Sequence, residues 1–281
     1  MEKLKFVLSN NTDNELKKIA ILLTKVFKKK FSFSYLKWLY VQNPQGKAIS
    51  CNIHYKNKII GHYAVIPTKI IINQKKYKSA LSLNTAVDDN FKGKGFFKLM
   101  ADKTFKQVNK KGISIVYGVS NNQSTKLFEK YFNFVNLGSL DVKIGFGQNN
   151  ENCKKKIKIY WGKKSLKWRI LHPNHKYNIV DYNNKFSINF NFKKLMNIIM
   201  GDFANHKLKT KREENNYLNN FLNLYIGIGK TYKKNLFYFN LPNFFRPSPL
   251  NFIIKNLNNK SLSKYFKRKN LHFQLLDFDA F

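Results

Sequence analysis

Residues 86–97 (AVDDNFKGKGFF) form the segment whose residue types and spacing could do chemistry. An apolar strand ends at Val87, a basic and glycine-rich turn follows, and a helix begins at once. Such a turn directs several backbone N–H groups at one point, and the positive end of the helix dipole reinforces them. The turn contains two lysines and two glycines, Lys92, Gly93, Lys94 and Gly95. Since a Cβ at a glycine position would keep a ligand away from the backbone, the pattern predicts a phosphate or pyrophosphate site.

Hydrophobic spacing predicts the elements that must position this turn. Helices are predicted over 14–28, 34–41, 96–109 and 124–132. Strands are predicted over 49–55, 59–66, 68–72, 80–87 and 113–119, the first two forming a β-hairpin. The last of these strands is a nearly continuous apolar run, which is typical of a strand buried in a sheet. The fold class is therefore predicted to be α/β.

A short motif occurs twice in the chain and predicts two domains of similar fold. The motif is Leu36-Lys37-Trp38 in the first copy and Leu166-Lys167-Trp168 in the second. A proline and a predicted strand hairpin follow each copy. The offset is 130 residues, and internal similarity of this kind sets the architecture. A polar stretch at 148–152 separates the copies. We therefore expect domains at 1–147 and 148–281.

The segment 86–97 resembles the acetyl-CoA signature of the GNAT superfamily of N-acyltransferases, in which a strand ending V-x-P leads into R-G-x-G-x-G/A. Val87 holds the Val position, Asp89 replaces Pro and Lys92 replaces Arg. Both glycines match, and Phe97 replaces the last small residue. The resemblance covers about residues 1–145 and implies a mixed sheet with helices. The opening of the chain is similar to a bacterial subgroup associated with surface polysaccharides and sugars, and the second half is similar to the degenerate second GNAT-like domain of such proteins.

A second motif of the superfamily, N-x-x-[SA]-x-x-L-Y-x-K-x-G-F, is matched by Asn121, Ser124, Leu127, Lys130 and Phe134. Phe128 stands where many members carry the tyrosine that acts as the acid near sulfur. Tyr131 lies one helical turn later and is the substitute acid. Asp88 is the preferred base, because Asp89 occupies a proline position that usually points outward, although carboxylates are also common at turns.

The resemblance implies direct acyl transfer from acetyl-CoA, as co-substrate, to a small-molecule primary amine, with an amino sugar as one acceptor class. The turn would hold the CoA pyrophosphate. The strand ending at Val87 and the strand beginning at 113 would part to admit the pantetheine arm. A backbone N–H near Val87 would polarise the thioester carbonyl. The expected CoA-binding residues are Val87, Lys92, Gly93, Lys94, Gly95, Phe96, Phe97, Asn121 and Phe128, and the expected catalytic residues are Asp88 and Tyr131.

The composition excludes a disordered basic tail protein. It also indicates that the positive charge is weak evidence for binding to nucleic acid. Lys+Arg 52 and Asp+Glu 15 give a net charge of +37, and 43% hydrophobic residues are enough for a core. The chain has 48 Lys against 4 Arg and 38 Asn against 8 Ala, a bias that A/T-rich codons would produce. Because sequence-specific DNA binding favours Arg, nucleic acid is not the expected partner.

Other sequence features predict a cytoplasmic protein without a transmembrane segment or a metal. The N-terminus lacks the apolar region of a signal peptide, and no run of 18 apolar residues occurs. Cys51 and Cys153 cannot build a disulfide framework. His172 and His175 lack further metal ligands, and the GKT at 229–231 lacks the earlier glycine of a nucleotide-binding loop.

Two other functions stay open at this point. Tandem GNAT-like halves also occur in enzymes that move amino acids from charged tRNA to cell-wall precursors, and the basic charge would suit tRNA. Alternatively, the chain is a non-catalytic RNA- or anion-binding protein on a GNAT scaffold, which Phe128 in the acid position allows. Binding of CoA would favour acyl transfer over both of these functions.

Overall fold

A computed structural model of the chain describes residues 4–146, 155–182, 185–192, 196–204, 222–229, 237–242, 249–258 and 260–278. The described helices are α1 (Asp13–Phe27), α2 (Phe33–Tyr40), α3 (Phe96–Lys110), α4 (Asn122–Phe132) and α5 (Lys163–Ile170). The four helices predicted in the first half are confirmed, with ends that differ by one or two residues. Thr12 and Glu15 form a capping box at the start of α1, which explains where that helix begins.

The described strands form one mixed sheet. They are β1 (Lys5–Leu8), β2 (Ile49–Tyr55), β3 (Lys58–Ile72), β4 (Lys75–Val87), β5 (Ile115–Ser120), β6 (Val135–Ser139), β7 (Asp141–Gly145), β8 (Ile157–Ile159), β9 (Asn178–Tyr182), β10 (Lys185–Phe192), β11 (Met196–Ala204), β12 (Leu222–Ile228), β13 (Tyr238–Asn240), β14 (Asn251–Asn256) and β15 (Leu271–Gln274). Among the residues that the structure describes, no helix is both long and apolar enough to cross a membrane.

Strand β3 corrects one prediction from the sequence. Separate strands at 59–66 and 68–72 were expected, but β3 runs unbroken through Pro67, which pairs with Ala80 of β4. On the other side of β3, the pairing with β2 ends at Val65 and the pairing with β8 begins at Ile70. Pro67 therefore lies in a gap between two partner strands, where the missing N–H removes no ladder bond on that side.

Two hydrophobic clusters cover the two faces of the first part of the sheet. On one face α1 and α2 pack in the larger cluster, which continues into the second half of the chain. On the other face α3 and α4 pack over β2–β5 in a smaller cluster rich in phenylalanine. The turn at 92–97 therefore lies at the end of β4, on the side of the sheet that carries α3.

The two halves repeat one strand pattern and exchange a strand. Strands β2, β3 and β4 form an antiparallel meander with β5 parallel to β4, and β9, β10 and β11 form another with β12 parallel to β11. Strand β14 from the second half lies between β5 and β6 of the first. Reciprocally, β7 from the first half lies between β12 and β13 of the second. The strand pairing therefore crosses the expected boundary at 147 in both directions.

The repeated Leu-Lys-Trp motif brings the halves together at a contact with matching bonds. The rings of Trp38 on α2 and Trp168 on α5 stack with centroids 4.6 Å apart. Trp38 Nε1 donates to the carbonyl of Trp168 at 3.2 Å, and Trp168 Nε1 donates to the carbonyl of Trp38 at 3.3 Å. Each copy of the motif therefore makes the same bond to the other, as two units related by a local two-fold axis would.

The strand exchange leads to a prediction about fragments. Residues 1–147 expressed alone lack β14, which leaves the facing edges of β5 and β6 unpaired, and unpaired edges promote aggregation. We expect this fragment to be insoluble alone and to form a soluble complex when co-expressed with a tagged 148–281 fragment, measured by co-purification and size-exclusion chromatography. A soluble monomeric 1–147 fragment with the melting temperature of the whole chain would contradict this expectation.

Candidate functional site

Strands β4 and β5 pair for only part of their length and then separate. The parallel pairing joins Ser79–Ser82 to Ile115–Gly118. Beyond it β4 continues beside β3, while Ser120 of β5 pairs with β14. The residues of β4 from Leu83 to Thr85 are half-buried, although the preceding residues of this central strand are buried. We call the gap between 83–87 and 119–120 the β4–β5 fork.

The separation follows from a bulge in β4. The register between β3 and β4 shifts between His62 and Ala64, and Asn84 has a left-handed backbone with φ +53°. An extra residue on one strand of a pair bends that strand and ends regular pairing. At the apex, a Cβ on Gly118 would lie 3.1 Å from the carbonyl oxygen of Ser82, so glycine permits the close approach of the two strands before they part.

Backbone groups of β4 face the open side of the fork. The N–H of Asp88 donates to the carbonyl of Ile60 on β3 at 2.8 Å. In an antiparallel pair, successive residues direct their N–H and C=O groups to opposite sides. The N–H of Val87 therefore points away from β3, towards the side on which β5 has moved off. The resemblance to the GNAT superfamily implied an N–H at this place that could polarise a carbonyl.

The turn at 92–97 leaves a row of backbone amides free. Gly93 and Gly95 have φ of +79° and +71°, and a Cβ at either position would meet no atom within 4 Å. Gly95 caps α3 without a side-chain bond, and the amides of residues 93–97 donate to no group in the described part of the chain. Free amides at the positive end of a helix dipole attract anions. The turn therefore has the geometry that a phosphate group requires.

The two lysines of the turn make different contacts. Lys92 forms an ion pair with Asp89, and both side chains are exposed. Lys94 lies over the ring of Phe91, with 5.4 Å from Nζ to the ring centroid. Exposed pairs of this kind contribute little free energy. The ion pair of Lys92 therefore leaves the amides, the helix dipole and the ammonium group of Lys94 as the positive groups of the turn.

Asp88 lies at the end of β4 with its carboxylate already engaged. Lys25 of α1 donates to Oδ2 at 2.7 Å, and the N–H of Asn90 donates to Oδ1 at 3.2 Å. The bond from Lys25 is the main cause that lowers the pKa of Asp88 below its ordinary value. A general base near neutral pH benefits from a raised pKa, so this environment weakens Asp88 as a proton acceptor.

The phenylalanines of the predicted site belong to the core between α3 and α4. The ring of Phe97 packs edge-on against Phe128 and Phe132, with centroids 5.0 and 5.7 Å apart. Phe128 is only 3% exposed, and Phe96 packs against Phe6. Phe96 and Phe97 can therefore reach a ligand in the turn through their amides and not through their rings. Phe128 has no hydroxyl that could serve as an acid.

Asn121 and Tyr131 lie at opposite ends of α4. Asn121 follows β5 directly, and its side chain caps α4 by accepting from the N–H of Ser124 at 2.8 Å. It therefore lies beside the fork. Tyr131 is 42% exposed, and its ring lies under Lys98 from the first turn of α3, 5.7 Å from Nζ to the ring centroid. Tyr131 therefore lies beside the start of α3, and among the described residues it makes no hydrogen bond to Asp88.

A buried chain of hydrogen bonds reaches the fork from the α1 side, and it was not predicted from the sequence. Asn84 Nδ2 lies 2.9 Å from the Tyr40 hydroxyl, which lies 2.9 Å from His62 Nε2. His62 Nδ1 lies 2.7 Å from Asn52 Oδ1, and Asn52 Nδ2 lies 3.3 Å from Glu15 Oε1. His62 is fully buried, which lowers its pKa to about 3. The position of His62 on a predicted strand allowed two interpretations, a residue of the substrate cleft or a core histidine, and nothing distinguished Asn84 from the other asparagines.

The second half contains a matching fork, which the chain itself fills. Strands β11 and β12 pair in parallel over Met196–Ile199 and Leu222–Tyr225, and the register of β11 shifts just beyond. Strand β15 enters there and pairs with the end of β12. From β15, Gln274 Oε1 accepts from the N–H of Asp202 on β11 at 2.7 Å. The two sides of this fork are therefore joined through β15.

Two glycines make this close approach possible. A Cβ on Gly227 would collide with the carbonyl oxygen of Phe273, and a Cβ on Gly229 would collide with that of Leu271. Gly229 also has a φ of +85°. These glycines therefore belong to the packing of β15, which agrees with the rejection of a nucleotide-binding loop at this place. The remainder of the GKT pattern lies outside the described residues.

The fork, the free amides at the start of α3 and the helices on both faces define an α/β acyltransferase fold. Residues 8–131 match the family model of the GNAT acetyltransferase domain. No curated protein sequence matches the chain.

Solved structures give the same fold. One is a conserved protein from Enterococcus faecalis V583, described as a probable N-acyltransferase, with a TM-score of 0.64 and 9% identity over 91% of this chain and 73% of that one. A GCN5-related N-acetyltransferase from Kribbella flavida has a TM-score of 0.60 and 9% identity over 92% and 72%. Another from Anabaena variabilis ATCC 29413 has a TM-score of 0.60 and 11% identity over 90% and 73%. At such low identity the likeness shows the fold alone.

The buried histidine predicts how stability depends on pH. His62 is neutral when folded, with a pKa near 3, but takes up a proton near pH 6.5 when unfolded. The unfolded state therefore binds more protons below pH 6.5. The free energy of unfolding consequently decreases as the pH falls from 6.5 towards 3. Between pH 7 and 5 the loss from this residue is about 2 kcal/mol. Urea unfolding at both pH values should show a smaller loss for His62→Gln than for the wild type, whereas equal losses would mean that His62 is solvated.

Proposed function

We propose that the first half of the chain binds acetyl-CoA or another acyl-CoA and transfers the acyl group to a primary amine. The observation that carries the proposal is the row of free amides at 93–97 beside the β4–β5 fork. The match of residues 8–131 to the GNAT acetyltransferase family model supports it. A cytoplasmic location, where acyl-CoA is available, is part of the proposal.

The residues of the turn and fork fit such a ligand. The amides of 93–97 would bind the pyrophosphate, and the glycines leave space for it because no side chain fills the turn. The N–H of Val87 would donate to the thioester carbonyl and would stabilise the negative charge that develops there. Acyl-CoA itself supplies the activated acyl group. The side chain of Asn121, at the other edge of the fork, is already used as a helix cap.

Proton transfer is assigned to Asp88 and Tyr131 as part of the same proposal. Asp88 would accept the proton of the amine only when Lys25 moves off its carboxylate, since that bond now lowers its pKa. Tyr131 would reach the leaving sulfur only if the end of α4 borders the bound thiol. An amino sugar is the acceptor class that we propose, in agreement with the subgroup that the opening of the chain resembles.

We further propose that residues 148–281 form a second, degenerate GNAT-like domain without a CoA site. The repeated strand order, the bulge beside each fork and the matching tryptophan bonds support a duplicated fold. Strand β15 occupies the place that a pantetheine arm would need in the second fork. The chain should therefore bind one acyl-CoA.

Glycine variants at the two ends of α3 test the turn. Gly95→Ala places a Cβ in the space proposed for phosphate and strains a backbone with φ +71°. Gly112→Ala at the other end of α3 is the matched control, because Gly112 has φ +69° and equally open surroundings. Both variants should lose about 1–2 kcal/mol of stability, but only Gly95→Ala should weaken CoA binding, by roughly tenfold or more. Isothermal titration calorimetry with CoA measures the affinity.

Equal affinities for CoA in the two variants would contradict the role of the turn. If the wild type binds no CoA, the acyltransferase proposal fails altogether. Binding of RNA with a steep salt dependence would then favour the non-catalytic alternative, and binding of charged tRNA would favour aminoacyl transfer.

The stoichiometry of the same titration tests the second fork. We expect one CoA per chain, because β15 closes the fork between β11 and β12. A measured stoichiometry of two would show that the chain end leaves this fork and would contradict the degenerate second domain.

A further inference from the structure

Asn84 occupies an unusual position in the sheet. It lies in a central strand with φ +53°, a left-handed conformation that interrupts the extended backbone of the strand and that asparagine adopts more readily than other residues with a Cβ. It is also the second residue after Ser82, where the pairing with β5 ends, and it is half-buried. Strained backbone at such a place often serves a function. The fork therefore begins at an irregular residue of β4, and the side chain of this residue is held by a hydrogen bond to Tyr40.

The hydrogen-bond chain fixes the orientation of the Asn84 amide. Because Nδ2 of Asn84 donates to the hydroxyl of Tyr40, that hydroxyl donates its own proton to Nε2 of His62. Nδ1 of His62 then carries the ring proton and donates to Asn52, whose amide donates to Glu15. Every donor in the chain points towards Glu15. The direction is consistent along the whole chain, because a reversed amide of Asn84 would place two acceptor oxygens face to face at Tyr40.

This orientation leaves one atom of Asn84 without a partner. Its Oδ1 makes no hydrogen bond in the described part of the chain, and it lies on the half-buried residue at the mouth of the fork. Tyr40 belongs to the cluster of α1 and α2, on the face opposite to α3. Nδ2 of Asn84 is therefore the atom that faces the α1–α2 cluster, and Oδ1 is left as the accepting atom of this residue at the fork.

We infer that Asn84 is the residue that receives the nucleophilic amine: its Oδ1 accepts an N–H of the acceptor, and the chain Tyr40–His62–Asn52–Glu15 holds that oxygen in place. The inference rests on the proposed acyl transfer and adds to it the residue that aligns the amine. An amide oxygen accepts hydrogen bonds but takes up no proton at neutral pH. Asn84 therefore orients a neutral amine, and Tyr40 and His62 act through it as positioning residues.

The reaction at this oxygen balances without a further reagent. The amine nitrogen, held by one N–H at Oδ1, forms a bond to the thioester carbon, and the C–S bond breaks with the electron pair leaving on sulfur. The nitrogen loses one proton to water or to a nearby base, and the thiolate gains one. The contribution of Asn84 is orientation of the nitrogen lone pair, which is an effect on the rate of the chemical step.

Asn84→Gly tests the inference with little risk to folding, because glycine adopts φ +53° without strain. The matched control is Asn73→Gly, since Asn73 has φ +47° in the exposed turn between β3 and β4, at the opposite end of β4 from the fork. The probe is hydroxylamine, a small neutral amine that needs no pocket for a substituent. Release of free thiol from acetyl-CoA, minus the rate without protein, measures transfer, and calorimetry measures acetyl-CoA binding.

We expect the wild type and Asn73→Gly to accelerate thiol release equally. Asn84→Gly and Tyr40→Phe should lower the catalysed rate roughly tenfold, with acetyl-CoA affinity unchanged within about twofold. Nitrogen-15 NMR of the His62 ring should show the proton on Nδ1 in the wild type, a signature that identifies the direction of the chain. The His62→Gln variant assigns that signal.

Several results would overturn the inference. Wild-type rates in Asn84→Gly would do so, as would a wild type that binds acetyl-CoA without accelerating thiol release, or a His62 proton on Nε2. Absence of acetyl-CoA binding by the wild type is a different failure, since it would remove the proposed function on which the inference rests, and calorimetry identifies it separately.

Discussion

The parting of β4 and β5 is the constraint on which the rest of the structure depends. A central strand of a sheet normally has both sides paired, and its unpaired N–H and C=O groups would be costly if they were buried without a partner. The left-handed Asn84 bends β4 away after Ser82, and the strand keeps its bonds to β3 while it gives up those to β5. The unpaired side of β4 is therefore a set of polar groups that needs water or a ligand.

The two forks of the chain show two ways to satisfy such groups. In the second half, β15 supplies a backbone partner for β12 and the side chain of Gln274 supplies one for β11. In the first half, no described segment enters the fork, and the turn at the start of α3 presents free amides beside it. One fold thus carries a filled fork and an open one. The reciprocal exchange of β7 and β14 makes the two halves a single sheet.

The sequence predicted the helices, most strands and the turn because these depend on local signals. The spacing of apolar residues indicated α1, and the two glycines of the turn indicated a backbone that a ligand can approach closely. The structure adds the cap at Thr12 and the positive φ of both glycines. Pro67 misled the prediction, since its tolerance in β3 depends on where β2 and β8 end. The strand exchange and the chain from Asn84 to Glu15 join residues far apart in sequence, and no local pattern encodes them. The repeated Trp168, by contrast, did indicate that two similar units meet.

The central claim is that the open fork and its turn take up the arm and the phosphates of acyl-CoA. Amide hydrogen exchange, measured residue by residue with and without CoA, tests it most directly. The account predicts slower exchange on adding CoA at the amides of 93–97 and of Val87, and unchanged exchange at Gly227 and Ile228 beside the filled fork. Unchanged exchange at 93–97 and Val87 in the presence of saturating CoA would contradict it.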